Sequence, residues 1–499
     1  VSAAKAGFVE NALGQETPFS LPYTVVVGPA TEVANAQLLE DIVLTPGGTI
    51  TGRVTDDQGE PVDGATISLW RVLGTPAFLK RVPLQKGIDT DDVGTFRIAG
   101  LASGQYLLGA LKGGSYADSV EADGRFGYAY TYHPGTAHRQ RAAVLAVRSG
   151  SGTSVHFALA RRPVLRVVGV LRDGAGRPAS QGLVRVLDAD TYSPLAVGHV
   201  RTNGGFDVDV VSPTDEVVIV ATTAIGRDAT IPVEVAASAI ALSERAERKI
   251  QLRSQPGGRV RGKVVVDTGR VADIGRKLRV FAKALQSTSY FPPSLGVTVG
   301  ADGTFELLNI HEPSVFLADV EGTGWYVERI QSGGRDITDS GLRPSSGQVT
   351  TDVKIVLTRT TQRLRGTVIG GSRRLSVVAF AADSTLWDFP DSRYVRVARP
   401  DTAGQFEIAG VRPAEYCIAA VEALDLDLLA NPATLEALRY RSRLYRIDRG
   451  STVHVDVRAD GGNIAGCMSS SKPRSESLTD RRGTTVRFGR LLTGPSGDQ

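Results

Sequence analysis

Ile50-Thr-Gly52-Arg-Val54 sets the pattern from which the fold can be read. An apolar residue, any residue, glycine, any residue and a second apolar residue return as Val167-Val-Gly169-Val-Leu171, Val260-Arg-Gly262-Lys-Val264 and Leu364-Arg-Gly366-Thr-Val368. Alternation at period two marks a strand, and glycine inside a strand marks a bulge or a close backbone approach. Each opening is followed, 37 to 44 residues after its glycine, by a phenylalanine behind a turn. The four are Gly94-Thr-Phe96-Arg-Ile98, Gly205-Phe206-Asp-Val208, Gly303-Thr-Phe305-Glu-Leu307 and Gly404-Gln-Phe406-Glu-Ile408. Asp/Asn-Gly turns tolerate positive φ and close hairpins. The Phe and the apolar residue two positions on then share one face, expected to be the core face.

A further turn and strand come next, clearest in Gly104-Gln-Tyr106-Leu-Leu108 and Glu415-Tyr416-Cys-Ile418. Each repeat ends in a short alternating strand: Val155-His-Phe157, Ile250-Gln-Leu252, Val353-Lys-Ile355 and Val453-His-Val455. Many short strands and frequent turns predict all-β sandwiches in tandem. The expected units are residues 45–160, 161–253, 254–358 and 359–459. Residues 1–44, ending in the strand-like Leu39-Glu-Asp-Ile42-Val-Leu44, are expected to be the last part of a truncated upstream sandwich, and any signal peptide would lie further upstream. Asn431-Pro432 signals one short helix in the last unit, with an Asn cap and Pro at the first helical position. Residues 460–499, rich in Gly, Ser and Arg, predict a disordered tail. The linkers Arg161-Arg-Pro163 and Ser254-Gln-Pro-Gly-Gly258 are short and predict limited bending, hence a rod.

The 499 residues carry 57 Lys+Arg against 53 Asp+Glu, a net +4. The basic residues are scattered and nearly cancelled, which argues against a nucleic-acid partner. No stretch approaches the roughly 20 apolar residues of a membrane-spanning helix.

The string Gly48-Thr-Ile-Thr-Gly52-Arg-Val54-Thr-Asp-Asp-Gln-Gly59-Glu-Pro61-Val-Asp-Gly64-Ala65, continued by Thr90-Asp-Asp-Val-Gly94-Thr-Phe96 and Gly104-Gln-Tyr106, resembles the carboxypeptidase regulatory-like domain family. The second unit keeps Asp173-Gly-Ala-Gly176-Arg-Pro178; the third and fourth keep mainly the Gly strand and the Phe turn. The resemblance implies a transthyretin-like, seven-stranded β-sandwich in each unit, related to carbohydrate-binding-like modules. It also implies a secreted or envelope protein of bacteria, and no catalytic residues. Fold alone does not assign function.

Catalytic patterns are missing from the sequence. No His has the spacing of a zinc peptidase, and there is no Gly-x-Ser-x-Gly elbow. Gly257-Gly-Arg-Val-Arg-Gly262-Lys263-Val264 lacks the Ser or Thr that a phosphate loop needs and overlaps an expected strand. His156 and His454 are expected to point outward from closing strands, and His133 to sit in a turn. Asp89, Asp91 and Asp92 crowd a turn, where Asx-turn bonding is the simpler reading and calcium the rival. No cofactor or metal is expected. Cys417 reads as a buried free thiol, with a bridge to Cys467 the lesser alternative.

Ligand contact is expected, if anywhere, from aromatics. Phe126, Tyr128, Tyr130 and Tyr132 alternate, so one strand would place all four on one face. That face could be core, which is the commoner use, or a platform for pyranose rings. Trp70, which alternates with Ile67 and Leu69, is expected to project outward; Trp325 and Trp387 are further candidates. The candidate ligand residues are therefore Trp70, Tyr128, Tyr130 and Tyr132. Two functions are compatible with this sequence. One is a non-enzymatic array that acts as a stalk or adhesin, or binds surface glycan or envelope protein. The other is the accessory part of a larger secreted peptidase or glycosidase.

Overall fold

A computed structural model describes residues 1–15, 17–22, 41–82, 88–113, 118–223, 233–242, 247–274, 278–285, 296–320, 324–370, 375–387 and 392–459. The 460–499 tail and Cys467 lie outside the described residues.

The chain is all-β, and its opening glycines show why the repeats fold alike. Each opening strand lies between a closing strand and a Phe strand. In the first unit these are Gly48–Thr55 between Gly152–Ala158 and Thr95–Leu101. Gly52 is in register with Phe96 on the antiparallel side and Val155 on the parallel side. Gly169 lies between Phe206 and Ile250, Gly262 between Phe305 and Val353, and Gly366 between Phe406 and Val455. A methyl group at Gly52 would sit 2.5 Å from Phe96 Cζ, so the missing side chain is the space the ring occupies. All four phenylalanines are buried. Burying one contributes roughly 1.5–3 kcal/mol.

A second sheet faces each of these. Its centre pairs Ala65–Leu73 with Gly104–Lys112, Gly182–Asp188 with Glu216–Thr222, Arg279–Ala284 with Ser314–Ala318, and Leu375–Ala381 with Ala414–Glu422. Each unit has its own apolar core. The fourth unit is a three-stranded sheet on a four-stranded one, the seven strands expected; the first adds short edge strands. The third differs in topology. Its Tyr326–Ser332 strand pairs with the closing strand rather than with the second sheet.

Turn chemistry explains the local agreement. The Asp91 carboxylate accepts from Thr95 N at 2.6 Å and Val93 N at 3.2 Å, and Asp401 accepts from Gln405 N and Ala403 N. Gly100 and Gly410 are the next-to-last residues of their Phe strands, at φ 77° and 73°; the third unit uses Asn309 there at φ 62°. Asparagine is among the few residues that accept this left-handed region. The α-helix Pro432–Arg439 starts where expected, with the Asn431 side chain accepting from Ala433 N. Gly258–Val266 is a strand paired on both sides, not a phosphate loop.

Three expectations are corrected. Residues 41–44 form no strand. In the four units the closing strand is held by an opening strand beside it, and among the described residues 41–44 have none; Leu39 lies outside them. Cys417 is not a free thiol: it is fully buried and disulfide-bonded.

The straight rod is the third correction. Arg161–Pro163 pairs with Phe126–Tyr128, and Gln255–Pro256 pairs with Glu234–Ala241, so both linkers are built into sheets. The units contact in sequence: Arg139 pairs with Asp190, Val233 N donates to Asn309 Oδ1, and Arg393 donates to Phe316 O. The fourth unit then meets the first. Arg71 pairs with Asp425 and Asp427, Lys80 with Asp427 at 2.7 Å, and Asn431 Nδ2 donates to Leu73 O at 3.0 Å. The circuit of contacts closes, which a straight rod cannot do.

Candidate functional site

Strand Ala65–Leu73 has two faces. Ala65, Ile67 and Leu69 enter the core; Thr66, Ser68 and Trp70 face outward and line a cleft of about 500 Å³. The neighbouring strand, Thr75–Arg81, sets Arg81 directly across from Trp70. On the other side Gly109 lies opposite Ser68, and the Tyr130 ring covers it. A Cβ on Gly109 would lie 2.5 Å from Tyr130 Cε1, so glycine is what lets the ring lie against the sheet.

Three aromatic rings therefore gather. Trp70 and Tyr130 centroids are 5.6 Å apart and edge-to-face, Trp70 and Tyr132 are 5.7 Å apart, and Tyr130 and Tyr132 are 4.9 Å apart. Such pairs hold each other at about 0.5–1.5 kcal/mol beyond burial. Tyr132 is buried, and burial pushes its hydroxyl up to about 12, so it stays protonated.

The second unit supplies the opposite wall, including Asp188, Asp190, Thr191 and Thr214. The Asp188 carboxylate accepts from Thr191 N at 2.7 Å, Thr191 Oγ1 at 2.8 Å and Asp190 N at 3.1 Å. A 3-10 turn, Arg139–Arg141, closes one end, and Arg139 spans the cleft to Asp190 at 3.4 Å. Beside the cleft, Ala129, Ala137 and Val211 form a small shared core that joins the two units.

Phe126, Tyr128, Tyr130 and Tyr132 do not form one stripe. The strand stops at Tyr128 and restarts at Thr131. Tyr128 belongs to the core and donates to Asp57 at 3.0 Å, while Tyr130 and Tyr132 turn to the cleft. Burial, and then the Asp57 bond, pushes the Tyr128 hydroxyl well above the usual phenol range. Phe126 stacks under Arg161 at 3.8 Å. Trp325 and Trp387 are core residues of the third and fourth units and cannot serve as surface platforms.

The remaining candidates fall where the turns put them. His156 and His454 are exposed on closing strands, and His133 stacks edge-on to Phe157. The Asp91 carboxylate is spent on the Thr95 turn, and Asp89 accepts from Thr66 Oγ1. Among the described residues no group of three or more His, Cys, Asp or Glu gathers for a metal, and no helix is long and apolar enough to cross a membrane. Sequence reading missed Arg81, Arg139, Arg141, Asp188 and Asp190. Only the basic run His138-Arg-Gln-Arg141 after the Tyr132 turn gave any signal.

Residues 49–160 match the carboxypeptidase regulatory-like domain. The match covers the unit that supplies Trp70, Tyr130 and Tyr132. Among curated proteins none matches the sequence. Solved structures with similarity include GBS52, the minor pilin of Streptococcus agalactiae, at 9% identity over 42% of this chain and 95% of that one, TM-score 0.22. A streptococcal ancillary pilin has 11% identity over 62% and 99%, TM-score 0.19. The Bacillus anthracis TIE protein has 10% identity over 62% and 51%, TM-score 0.16; the similarity spans about half its length. With scores this low, none of the three informs the arrangement or role of this chain.

Proposed function

We propose that this chain is a non-catalytic β-sandwich array of the bacterial envelope or secreted fraction, and that the cleft between its first two units binds a surface glycan. The observation that carries the reading is the gathering of Trp70, Tyr130 and Tyr132 in one cleft between two units. Aromatic rings offer apolar faces to the C–H faces of pyranoses, while Thr66, Ser68 and Thr214 offer hydroxyls to sugar hydroxyls. Junctions between units are common ligand sites because two walls can be placed independently. The Ala129–Val211 contact and the Arg161–Pro163 ladder keep those walls in place. The closed circuit of contacts favours a binding role over an extended stalk.

A glycan array probed with the intact chain tests this. Binding of a defined glycan class that Trp70→Ala removes, with the far-UV spectrum unchanged, supports the reading. Absence of any glycan binding overturns it.

A further inference from the structure

We infer that the glycan is acidic, carrying the planar carboxylate of a uronic acid. This rests on the glycan reading above and adds the charge of the ligand to it.

The charges lining the cleft are three guanidinium groups and two carboxylates. The carboxylates are already satisfied. Asp188 is 4% exposed and accepts hydrogen bonds from its own turn; Asp190 is paired with Arg139. Arg81 and Arg141 are exposed, and among the described residues neither forms an ion pair. Two cations thus remain beside the aromatic rings without an anion. Arg81 is the better placed, directly across the strand pair from Trp70. A ring stacked on Trp70 would hold a substituent within its reach. Arginine presents a rigid planar fork that matches a carboxylate with two parallel hydrogen bonds. A neutral sugar would leave both guanidinium groups to water alone, and an amino sugar would be repelled.

The test compares polygalacturonate and alginate with methyl-esterified polygalacturonate and dextran, by titration calorimetry on the intact chain. Methyl esterification keeps the ring and removes the charge. The expected result is binding of a uronate polymer about tenfold tighter than the ester, with that preference lost in Arg81→Gln/Arg141→Gln. Residual binding of the ester persists in the double variant and disappears in Trp70→Ala. Equal affinity for acid and ester, or an unchanged preference in the double variant, overturns the inference and leaves the glycan reading standing. Dextran sulfate bound as tightly as the uronates also overturns it, because a bare anion site has no use for a carboxylate's plane. Failure of every polymer to bind removes both.

Discussion

Arg71 and Asp425, 354 positions apart in the sequence, are joined by a two-pronged ion pair that ties the first sandwich to the fourth. Arg71 follows Trp70 on the same strand, so it points to the opposite side. The strand thus lines the cleft on one face and holds the fourth unit with the other. Arg71 is 8% exposed, and its guanidinium also stacks on the Phe19 ring at 3.5 Å, while Leu426 N donates to Phe19 O. Removing one member of such a buried pair costs about 3–5 kcal/mol, far more than a surface pair. Arg71→Ala is expected to open the contact between the first and fourth units and to raise the maximum dimension seen by small-angle scattering. Asp425→Ala should do the same, and the double variant should be no worse than either single one. Unchanged scattering in all three would contradict a closed circuit.

The glycine facing each phenylalanine predicts an intolerance out of proportion to a single methyl group. Gly52→Ala must push either Phe96 or the neighbouring Val155 from its place, at about 1–3 kcal/mol. Phe96→Ala leaves a cavity and costs about 3–5 kcal/mol. Thermal melting of the full chain should show an early transition in each variant. Gly59→Ala, on the exposed turn beside this strand, tests strain without crowding: a Cβ there meets nothing within 4 Å. It should lower the transition less.

Burial pushes His311 in the third unit down to about 4, against 6.5 for the free side chain. Between those values the unfolded chain takes up a proton that the folded chain refuses. Stability from this group is therefore complete above pH 6.5 and is lost as the pH falls toward 4. Melting should shift to lower temperature from pH 7 to pH 5. His311→Gln should reduce that shift.

Cys417 is fully buried and disulfide-bonded, and Cys467 is the only other cysteine in the chain. Alkylation of the denatured, unreduced chain should therefore leave Cys417 unlabelled, and prior reduction should expose it. Ready labelling without reduction would restore the free-thiol reading.

The recurring strands of the all-β fold were legible because their signals are local. The Gly strand, the Asp or Gly turn and the buried Phe lie within one ladder, and each residue does alone what its position needs. The Asn431 cap was legible for the same reason. Its second bond, to Leu73 O, was not, since nothing near Asn431 in sequence announces the first unit. The cleft was half legible. Alternation put Trp70 outside, but it also placed Tyr128 with Tyr130, because a strand break at Ala129 leaves no mark in a run of alternating aromatics. Arg81, Arg139 and Asp190 became neighbours only once two units had docked.

Titration calorimetry of the intact chain against a uronate polymer, with Trp70→Ala and Tyr130→Ala beside it, tests the binding claim most directly. Trp70→Ala should abolish the heat of binding, and Tyr130→Ala should weaken it by about tenfold or more, with melting temperatures near that of the parent chain. Binding that survives the loss of Trp70 would place the ligand outside the cleft and contradict a glycan site there.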